Sequence, residues 1–318
     1  MYKTFYKLRL NPFGNSPDPR FLYMMPHTRE ALAALEFGIG ARRGFIVLTG
    51  EAGTGKTTLL RKTLESFDTS KILTSFIFNP RLEVLDFLEF VMNDFGITPT
   101  ARTKSSMLLQ LNHWLIERFR NGQTCVIVVD EAQTLSSELL EEIRLLANLE
   151  TSSDKLLQIV MSGQPEFEEK LRQPSLRQLR QRIALWCRVQ PLTESETAQY
   201  IERRLITAGS LPTVQRHAET ATFARETIGL IHRASRGVPR IVNLICEHSL
   251  IFGYVEHLNQ VTVGIVQDVI EDLDLSSMSF SDSLPQPDSA TSSETKRPTH
   301  ITTPDSRVEL DPESRRAR

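Results

Sequence analysis

The stretch at residues 50–57 constrains the fold of this chain more than any other part of the sequence. It reads Gly-Glu-Ala-Gly-Thr-Gly-Lys-Thr, which fits a glycine, any four residues and then Gly-Lys-Thr. An apolar run at 45–48 precedes it, and a helix-like run at 58–64 follows it. A strand, a glycine-rich turn and a helix in this order are typical of a phosphate-binding loop. The sequence therefore predicts that a nucleoside triphosphate binds at this turn.

Each part of this loop has an expected role. The glycines let consecutive N–H groups point at a polyphosphate, and the helix adds the positive end of its dipole. Lys56 is expected to neutralise the β- and γ-phosphates, and the Thr57 hydroxyl to hold Mg²⁺. The alternative is a glycine-rich turn with a solvated lysine, which the motif downstream disfavours. The predicted nucleotide contacts come from Gly50, Glu51, Ala52, Gly53, Thr54, Gly55, Lys56, Thr57 and Thr58.

The downstream motif is a β-branched run at 126–129 that ends in Asp130 and Glu131. A continuous apolar strand is typical of a parallel sheet covered on both faces, and ligands bind at the carboxyl ends of such strands. Asp130 is therefore expected beside the Mg²⁺ ion. Glu131 is expected to polarise the water that attacks the γ-phosphate. A strand that ends in a solvated acidic turn is the alternative.

Strand-like and helix-like segments alternate up to about residue 190, which predicts an α/β domain, and the helical segments after it predict a helical domain. Apolar runs at 45–48, 72–78, 126–129, 156–161 and 183–189 are predicted strands, and the helical segments between them include 83–95, 104–120 and a helix capped by Ser136. Thr28 is a predicted N-cap for the helix before the first strand. From Pro191 the periodicity is helical, and residues 193–196 form a capping box.

Three segments follow from this pattern. We expect a nucleotide-binding α/β domain at 1–190, whose aromatic and proline-rich start at 1–27 follows the sheet edge near the nucleotide base, and a helical lid at 191–274. Residues 275–318 are expected to be disordered, because 20 of the 43 residues from 276 onward are Ser, Thr or Pro.

Composition excludes several classes of protein. At 318 residues, with a net charge of -2 and a pI near 6.4, the chain has no global basic signal for nucleic acid. Its three cysteines are far apart in apolar runs, which indicates buried thiols and not a metal site or disulfides. The start has no signal-peptide pattern, and no run of eighteen apolar residues occurs. We expect a cytoplasmic protein without a membrane span.

Further polar residues are candidates for the reaction. Ser162 or Gln164, at the end of the fourth strand, is expected to orient the lytic water, although both residues are also compatible with a simple turn before Pro165. Arg240 follows Gly237 and Pro239, which end one helix and begin the next, so it is expected to sense the γ-phosphate from the lid.

Two arginines precede the fifth strand at the predicted edge of the sheet. In a ring of subunits, an arginine at this place reaches the γ-phosphate bound by the neighbour. Arg182 is the first choice for this role and Arg180 the second. A solvated basic helix face is the alternative.

Eight ordered motifs together resemble the ExeA/GspA family of AAA+ ATPases, and the likeness covers about residues 1–274. It implies a five-stranded sheet of order 5-1-4-3-2, a helical lid, assembly into a ring or filament, and the roles given above for Lys56, Thr57, Asp130, Glu131, Arg182 and Arg240. The motifs are Asn11-Pro12-Phe13, Pro17-Asp18-Pro19, Phe21-Leu22-Tyr23, residues 50–57, Asp130-Glu131-Ala132-Gln133, Ser162-Gly163-Gln164-Pro165-Glu166, Gln181-Arg182-Ile183 and Gly237-Val238-Pro239-Arg240.

Three classes of function remain open at this point. The first is an ATPase that drives or times the assembly of a cell-envelope machine, as ExeA-like proteins imply, with an envelope-assembly protein as its partner. The second is an ATP-gated regulator that binds duplex DNA, similar to the transposition ATPases TnsC and TniB. The third is a scaffold that binds ATP without turnover, against which Glu131 argues. In the second class, a ring interior is expected to be lined by Lys170, Arg172, Arg177, Arg180, Arg203 and Arg204.

Overall fold

A parallel sheet with helices on both faces forms the centre of the structure. The computed structural model describes residues 1–275 apart from 15, 17, 79–81, 152–153 and 210–222. The five strands lie in the order β2-β3-β4-β1-β5 with every pair parallel, which confirms the α/β class and the order that the resemblance implies. Their bounds are β1 (Phe45–Thr49), β2 (Ile72–Ile77), β3 (Thr124–Val129), β4 (Leu157–Gly163) and β5 (Ile183–Arg188).

Apolar side chains on both faces of the strands explain the burial of this sheet. Every residue of β1, β3 and β4 is buried, whereas the edge strands β2 and β5 are partly exposed. Because successive side chains of a strand point to opposite faces, Phe45 and Val47 belong to one core cluster and Ile46 and Leu48 to another. The continuous apolar runs in the sequence are therefore the central strands.

Twelve helices surround or follow the sheet in the described residues. Short 3-10 helices lie at Pro19–Phe21, Ala132–Thr134 and Pro174–Leu176. None of the helices in the described ranges has both the length and the apolar character needed to cross a membrane. The helices are α1 (Tyr2–Phe5), α2 (Pro26–Gly40), α3 (Lys56–Glu65), α4 (Val84–Asp94), α5 (Lys104–Arg120), α6 (Ser137–Leu146), α7 (Pro165–Leu171), α8 (Arg177–Gln181), α9 (Glu194–Thr207), α10 (Arg225–Ser235), α11 (Pro239–Val255) and α12 (Val263–Asp272).

The helix starts confirm two of the three predicted caps. The Ser136 hydroxyl accepts a hydrogen bond from the Leu139 N–H, and Thr193 forms a complete capping box with Glu196. The Thr28 cap is wrong. The helix α2 begins at Pro26, which is suited to a first helical position because its ring fixes φ, and Thr28 is buried inside the helix.

Helices α9 to α12 form the helical part of the chain after β5. Their apolar faces build one cluster, which contains Ile201, Leu205, Val242, Ile245 and Val266. The last strand ends at Arg188 and α9 begins at Glu194. The domain bounds at 190 and 274 stay predictions, and the segment expected to be disordered lies outside the described residues from 276 onward.

The first 25 residues pack mainly with the helical part. Leu8, Phe13 and Met25 are buried in the same cluster as the lid helices, and the Phe13 ring meets the Phe223 ring edge to face at 5.9 Å. Asn11 donates to Glu247 Oε1 on α11, at 3.1 Å. The expectation that this segment follows the sheet edge is therefore wrong for most of its length, because its aromatic side chains complete the core of the lid.

This packing predicts that the Phe13→Ala variant is less stable than the wild-type protein. Phe13 is 1% exposed, so truncation leaves a cavity in the lid core and lowers the free energy of unfolding by about 3–5 kcal/mol. Phe37, on the outer face of α2, is 54% exposed, and Phe37→Ala is expected to cost about 1 kcal/mol or less. Urea titration measures both. Equal small losses would show that the first residues do not belong to the lid core.

Candidate functional site: a nucleotide cleft

The loop after β1 has the backbone geometry of a phosphate-binding turn. Gly53 and Gly55 have φ angles of 82° and 97°, which side-chain-bearing residues rarely adopt. A Cβ atom at Gly50 would lie 2.4 Å from the Val189 carbonyl oxygen, so only glycine fits there. The helix α3 begins at Lys56, and the first N–H groups of a helix have no partners within it. The loop therefore presents backbone donors to an anion.

Lys56 is buried in this loop and is 5% exposed. Its ammonium donates to the carbonyl oxygens of Gly50 at 2.8 Å and Glu51 at 3.0 Å. Burial lowers the pKa of Lys56, and the charges of Glu131 and Asp130 partly offset that effect. A phosphate group in the loop would give this cation an anion in direct contact.

Thr57 and Asp130 meet where the loop faces the end of β3. The Thr57 hydroxyl donates to Asp130 Oδ2 at 2.6 Å, and Asp130 is buried. A hydroxyl and a carboxylate oxygen side by side are hard oxygen ligands of the kind that Mg²⁺ prefers. These two residues therefore fit the predicted metal site.

Glu131 is held by two amide side chains. Its Oε2 atom accepts hydrogen bonds from Gln133 Nε2 at 2.6 Å and from Gln164 Nε2 at 3.1 Å. The backbone of Glu131 is left-handed, with a φ of 54°, a conformation that costs free energy in a residue with a side chain and often occurs at functional sites. The fold thus holds one carboxylate at the carboxyl end of the sheet in a defined orientation.

Of the two polar candidates after β4, only Gln164 reaches Glu131. Ser162 lies within β4, paired in register with Leu48, and is fully buried. Its hydroxyl has no hydrogen-bond partner among the described residues and no contact with solvent. The water-orienting role of Ser162 stays a prediction, and of the two candidates Gln164 is the residue that contacts Glu131.

The lid contacts the loop through the start of α11. The Arg240 N–H donates to the Gly53 carbonyl oxygen at 3.2 Å, and a Cβ atom at Gly53 would lie 2.6 Å from the Arg240 Cβ atom. Gly237 has a φ of 72° and Pro239 is the first residue of α11, as predicted. Arg240 is exposed and lines the same cleft as Lys56 and Glu131. The structure therefore brings the predicted lid arginine to the phosphate loop.

A cleft of about 330 Å³ joins these parts. On one side it is lined by Gly53, Lys56, Thr57 and Glu131. The remainder comes from the first residues of the chain and from the lid. That second group includes Asp18, Phe21, Tyr23, Met25, Tyr200, Arg204 and Asn243.

The two arginines expected to contact a neighbouring subunit, Arg182 and Arg180, lie on the surface of the chain. Arg182 is exposed and donates from Nη1 to Asn148 Oδ1, and Arg180 is exposed on α8. Their role towards a neighbouring subunit stays a prediction.

The basic residues expected to line a DNA-binding ring do not form one exposed set. Arg172, Arg177 and Arg203 are exposed, but Arg204 is buried in the nucleotide cleft and is 5% exposed. Lys170 donates to the carbonyl oxygens of Gln133 and Leu135 in the turn after Glu131. The assignment of Arg204 to an open surface is therefore wrong, and Lys170 has a local structural role.

Four residues of the site were missed in the sequence. Gln133 is two residues after Glu131, and that spacing alone does not show that its amide turns back to the carboxylate. Arg204 lies four residues after Tyr200 and three after Ile201, on the buried face of α9, and this helical spacing predicts a buried arginine. Tyr200 and Asn243 also lie on buried helix faces, but that spacing does not show that they line a cleft.

Comparison with known proteins agrees with this geometry. Residues 40–171 match the family described as an AAA domain. This part of the chain is an AAA domain. The chain is also 38% identical over 265 residues to General secretion pathway protein A of Aeromonas hydrophila, which confirms the ExeA/GspA resemblance. That match covers 83% of this chain and 47% of the relative, so the chain spans about half the length of that protein.

Solved structures of similar fold support the AAA+ architecture. Cdc6p from Pyrobaculum aerophilum superimposes with a TM-score of 0.62 at 18% identity, covering 85% of this chain and 70% of that one. The Aeropyrum pernix ORC1 protein, solved in complex with DNA, gives a TM-score of 0.57 at 16% identity, covering 80% of this chain and 67% of that one. At these identities the likeness shows the fold alone.

The contact between loop and lid predicts a difference between two glycine variants. Gly55→Ala is expected to lower the free energy of unfolding by about 1–2 kcal/mol, because its φ of 97° disfavours a side chain and nothing lies within 4 Å of the new methyl group. Gly53→Ala has a similar φ of 82° but also collides with Arg240, which adds about 1–3 kcal/mol. Urea unfolding without nucleotide measures both losses. Equal losses would contradict the contact between Gly53 and the lid.

Proposed function

We propose that this protein binds ATP with Mg²⁺ in the cleft and hydrolyses it. The observation that carries the proposal is the convergence of Lys56, Thr57, Asp130, Glu131 and Arg240 on one cleft, although they come from distant parts of the chain. Each has the chemistry that one part of the triphosphate requires. The AAA domain at 40–171 supports ATP as the nucleotide.

The loop binds and orients the triphosphate. Its N–H groups and Lys56 contact the phosphates, and binding moves the Lys56 ammonium from the Gly50 and Glu51 carbonyl oxygens to phosphate oxygens. Thr57 and Asp130 would hold the Mg²⁺ ion, which would supply positive charge to the phosphate oxygens. The Thr57 hydroxyl, which donates to Asp130 in this structure, would then turn its oxygen to the metal.

Glu131 acts as the base for the attacking water. A carboxylate with one oxygen bound by Gln133 and Gln164 keeps its second oxygen for the water. Both amides stay where they are while the proton moves to Glu131, so they position the base and take no proton themselves. This arrangement favours Gln164, the residue that follows β4, over Ser162 as the polar residue that serves hydrolysis.

Arg240 reports the state of the γ-phosphate to the lid. Its backbone is bound to Gly53, and its side chain lines the cleft, so the guanidinium lies within the site that a triphosphate would fill. Loss of the γ-phosphate removes the anion to which this guanidinium binds. Val242 and Ile245 anchor α11 in the core of the lid. A movement of Arg240 is therefore passed to the lid as a whole.

We further propose that copies of the chain assemble into a ring or filament in which Arg182 contacts the nucleotide of a neighbour. Arg182 is exposed beside the edge strand β5, as such a role requires. Its hydrogen bond to Asn148 would be exchanged for the phosphate on assembly. Arg180, which is exposed on α8, is the second choice.

The biological role that we propose is support of a cell-envelope secretion or assembly system. The supporting observation is the 38% identity to General secretion pathway protein A, a relative of which the chain spans 47%. The alternative of a DNA-bound regulator is weakened by the burial of Arg204 and the local contacts of Lys170. A cytoplasmic location stays a prediction.

Two substitutions separate binding from hydrolysis. Lys56→Ala is expected to abolish ATP binding, because the buried cation that faces the phosphates is lost. Glu131→Gln is expected to keep ATP affinity within a few-fold but to lower the turnover rate about 10²–10⁴-fold, since an amide accepts no proton. Calorimetric titration and phosphate release measure the two properties.

The matched control is Glu138→Gln, which replaces an exposed acid on the first turn of α6. This variant should hydrolyse ATP at the wild-type rate. Wild-type turnover by Glu131→Gln would refute the assigned base. Unchanged ATP affinity in Lys56→Ala would refute the assigned phosphate site.

A further inference from the structure

Arg204 is a buried cation that the hydrolytic mechanism does not use. It lies on α9 and is 5% exposed. Among the described residues, no carboxylate lies within ion-pair distance of its guanidinium. The Asp18 carboxylate, which also lines the cleft, forms its ion pair with Arg20. A buried arginine without an ion pair is unfavourable unless its donors are satisfied in another way. Its surroundings show which donors are satisfied and which are not.

Two aromatic rings and one hydroxyl provide part of that compensation. The guanidinium carbon lies 4.8 Å from the centre of the Phe21 ring and 5.3 Å from that of Tyr200. The Nη1 atom donates to the Tyr200 hydroxyl at 2.7 Å, and that hydroxyl donates to Asn243 Oδ1 at 3.0 Å. The Nε atom, in contrast, is buried and has no partner among the described residues. One donor of a cleft-lining arginine thus lacks an acceptor.

The position of Arg204 in the cleft identifies which part of a nucleotide lies beside it. At the start of α11, Arg240 contacts Gly53 of the phosphate loop, and Asn243, one turn further along, contacts Tyr200. The 3-10 helix that carries Phe21 touches both α3 and α9. The lid therefore places one arginine at the phosphate end and the other at the end lined by Phe21, Tyr23 and Met25. Aromatic and apolar side chains suit a planar base and not a phosphate.

We propose that Arg204 donates a hydrogen bond to N3 or N7 of the purine base of the bound nucleotide. This inference rests on the proposed ATP site. Both ring nitrogens occur in adenine and in guanine, whereas a pyrimidine has no counterpart of N7 and presents its O2 oxygen in the place of N3. Arg204 is therefore a base-contacting residue that does not separate ATP from GTP, and a contact to N7 makes it select purine nucleotides over pyrimidine nucleotides.

The same contact links the base to the lid. Arg204 lies on α9, and through Tyr200 it is connected to Asn243 on α11, the helix that also carries Arg240. Burial raises the pKa of Tyr200, so its hydroxyl keeps the proton that it donates to Asn243. A base that accepts a hydrogen bond from Arg204 therefore holds α9 and α11 in place. The same placement of α11 keeps Arg240 at the phosphate loop.

The test uses nucleotide analogues on the wild-type protein, so it needs no variant that risks misfolding. Calorimetry measures the affinities of ATP, 7-deaza-ATP, 3-deaza-ATP, 2′-deoxy-ATP and inorganic tripolyphosphate. One of the two deaza analogues is expected to bind about tenfold or more weakly than ATP, because a hydrogen bond from a charged donor is lost. The deoxy analogue is expected to bind as ATP does.

A variant then assigns the effect to Arg204. Arg204→Met keeps an unbranched apolar side chain but has no donor, and it should bind ATP as weakly as the wild type binds the sensitive deaza analogue. In this variant ATP and that analogue should bind equally, and tripolyphosphate should bind as to the wild type. Arg233→Met, which removes an exposed arginine from α10, is the matched control and should leave all the affinities unchanged.

Several results would overturn the proposal. Both deaza analogues binding as tightly as ATP would show that neither ring nitrogen is contacted, and sensitivity to the 2′-deoxy change alone would place the acceptor on the ribose. Loss of tripolyphosphate binding in Arg204→Met would show an effect on the phosphate end or on folding. If the wild type binds neither ATP nor tripolyphosphate, the proposed function itself fails, whereas ATP binding without analogue sensitivity overturns only the role of Arg204.

Discussion

The parallel order of the three central strands is the constraint on which the site depends. Because β3, β4 and β1 are neighbours and all run in the same direction, their carboxyl ends meet at one edge of the sheet. The phosphate loop follows β1, Asp130 and Glu131 follow β3, and Gln164 follows β4. The hydrogen bonds from Thr57 to Asp130 and from Gln164 to Glu131 form across this edge. An insertion of one residue in any of the three strands would break the arrangement.

The lid and the first residues of the chain complete the cleft from the opposite side. Phe13 and Met25 join the lid core and Asn11 donates to Glu247 on α11, so the N-terminal segment and helices α9 to α12 share one packed cluster. That cluster carries Arg240 to the loop and holds Phe21 against Arg204. A single cluster thus presents groups to both ends of the bound nucleotide, which gives a physical reason for the lid to respond to nucleotide binding as a unit.

Much of the fold and of the phosphate end of the site could be predicted from the sequence, because each depends on local patterns. Continuous apolar runs identify central strands, and glycines beside Lys56 identify a loop with positive φ angles. The surroundings of Gln133, Ser162 and Arg204 could not be predicted from local patterns. Their roles depend on where the side chains point after folding: Gln133 turns back to Glu131, the hydroxyl of Ser162 is enclosed by β4, and Arg204 faces the cleft. The packing of Phe13 on the lid is a long-range contact of the same kind.

The central claim is that the phosphate loop and the lid close on one nucleotide. Hydrogen–deuterium exchange of the wild-type protein, with and without ATP and Mg²⁺, tests it most directly. The account predicts slower exchange on ATP binding in two separate segments together, residues 50–58 and residues 237–245, because the nucleotide bridges Lys56 and Arg240. Protection of the loop without any change at 237–245 would contradict a lid that contacts the bound nucleotide.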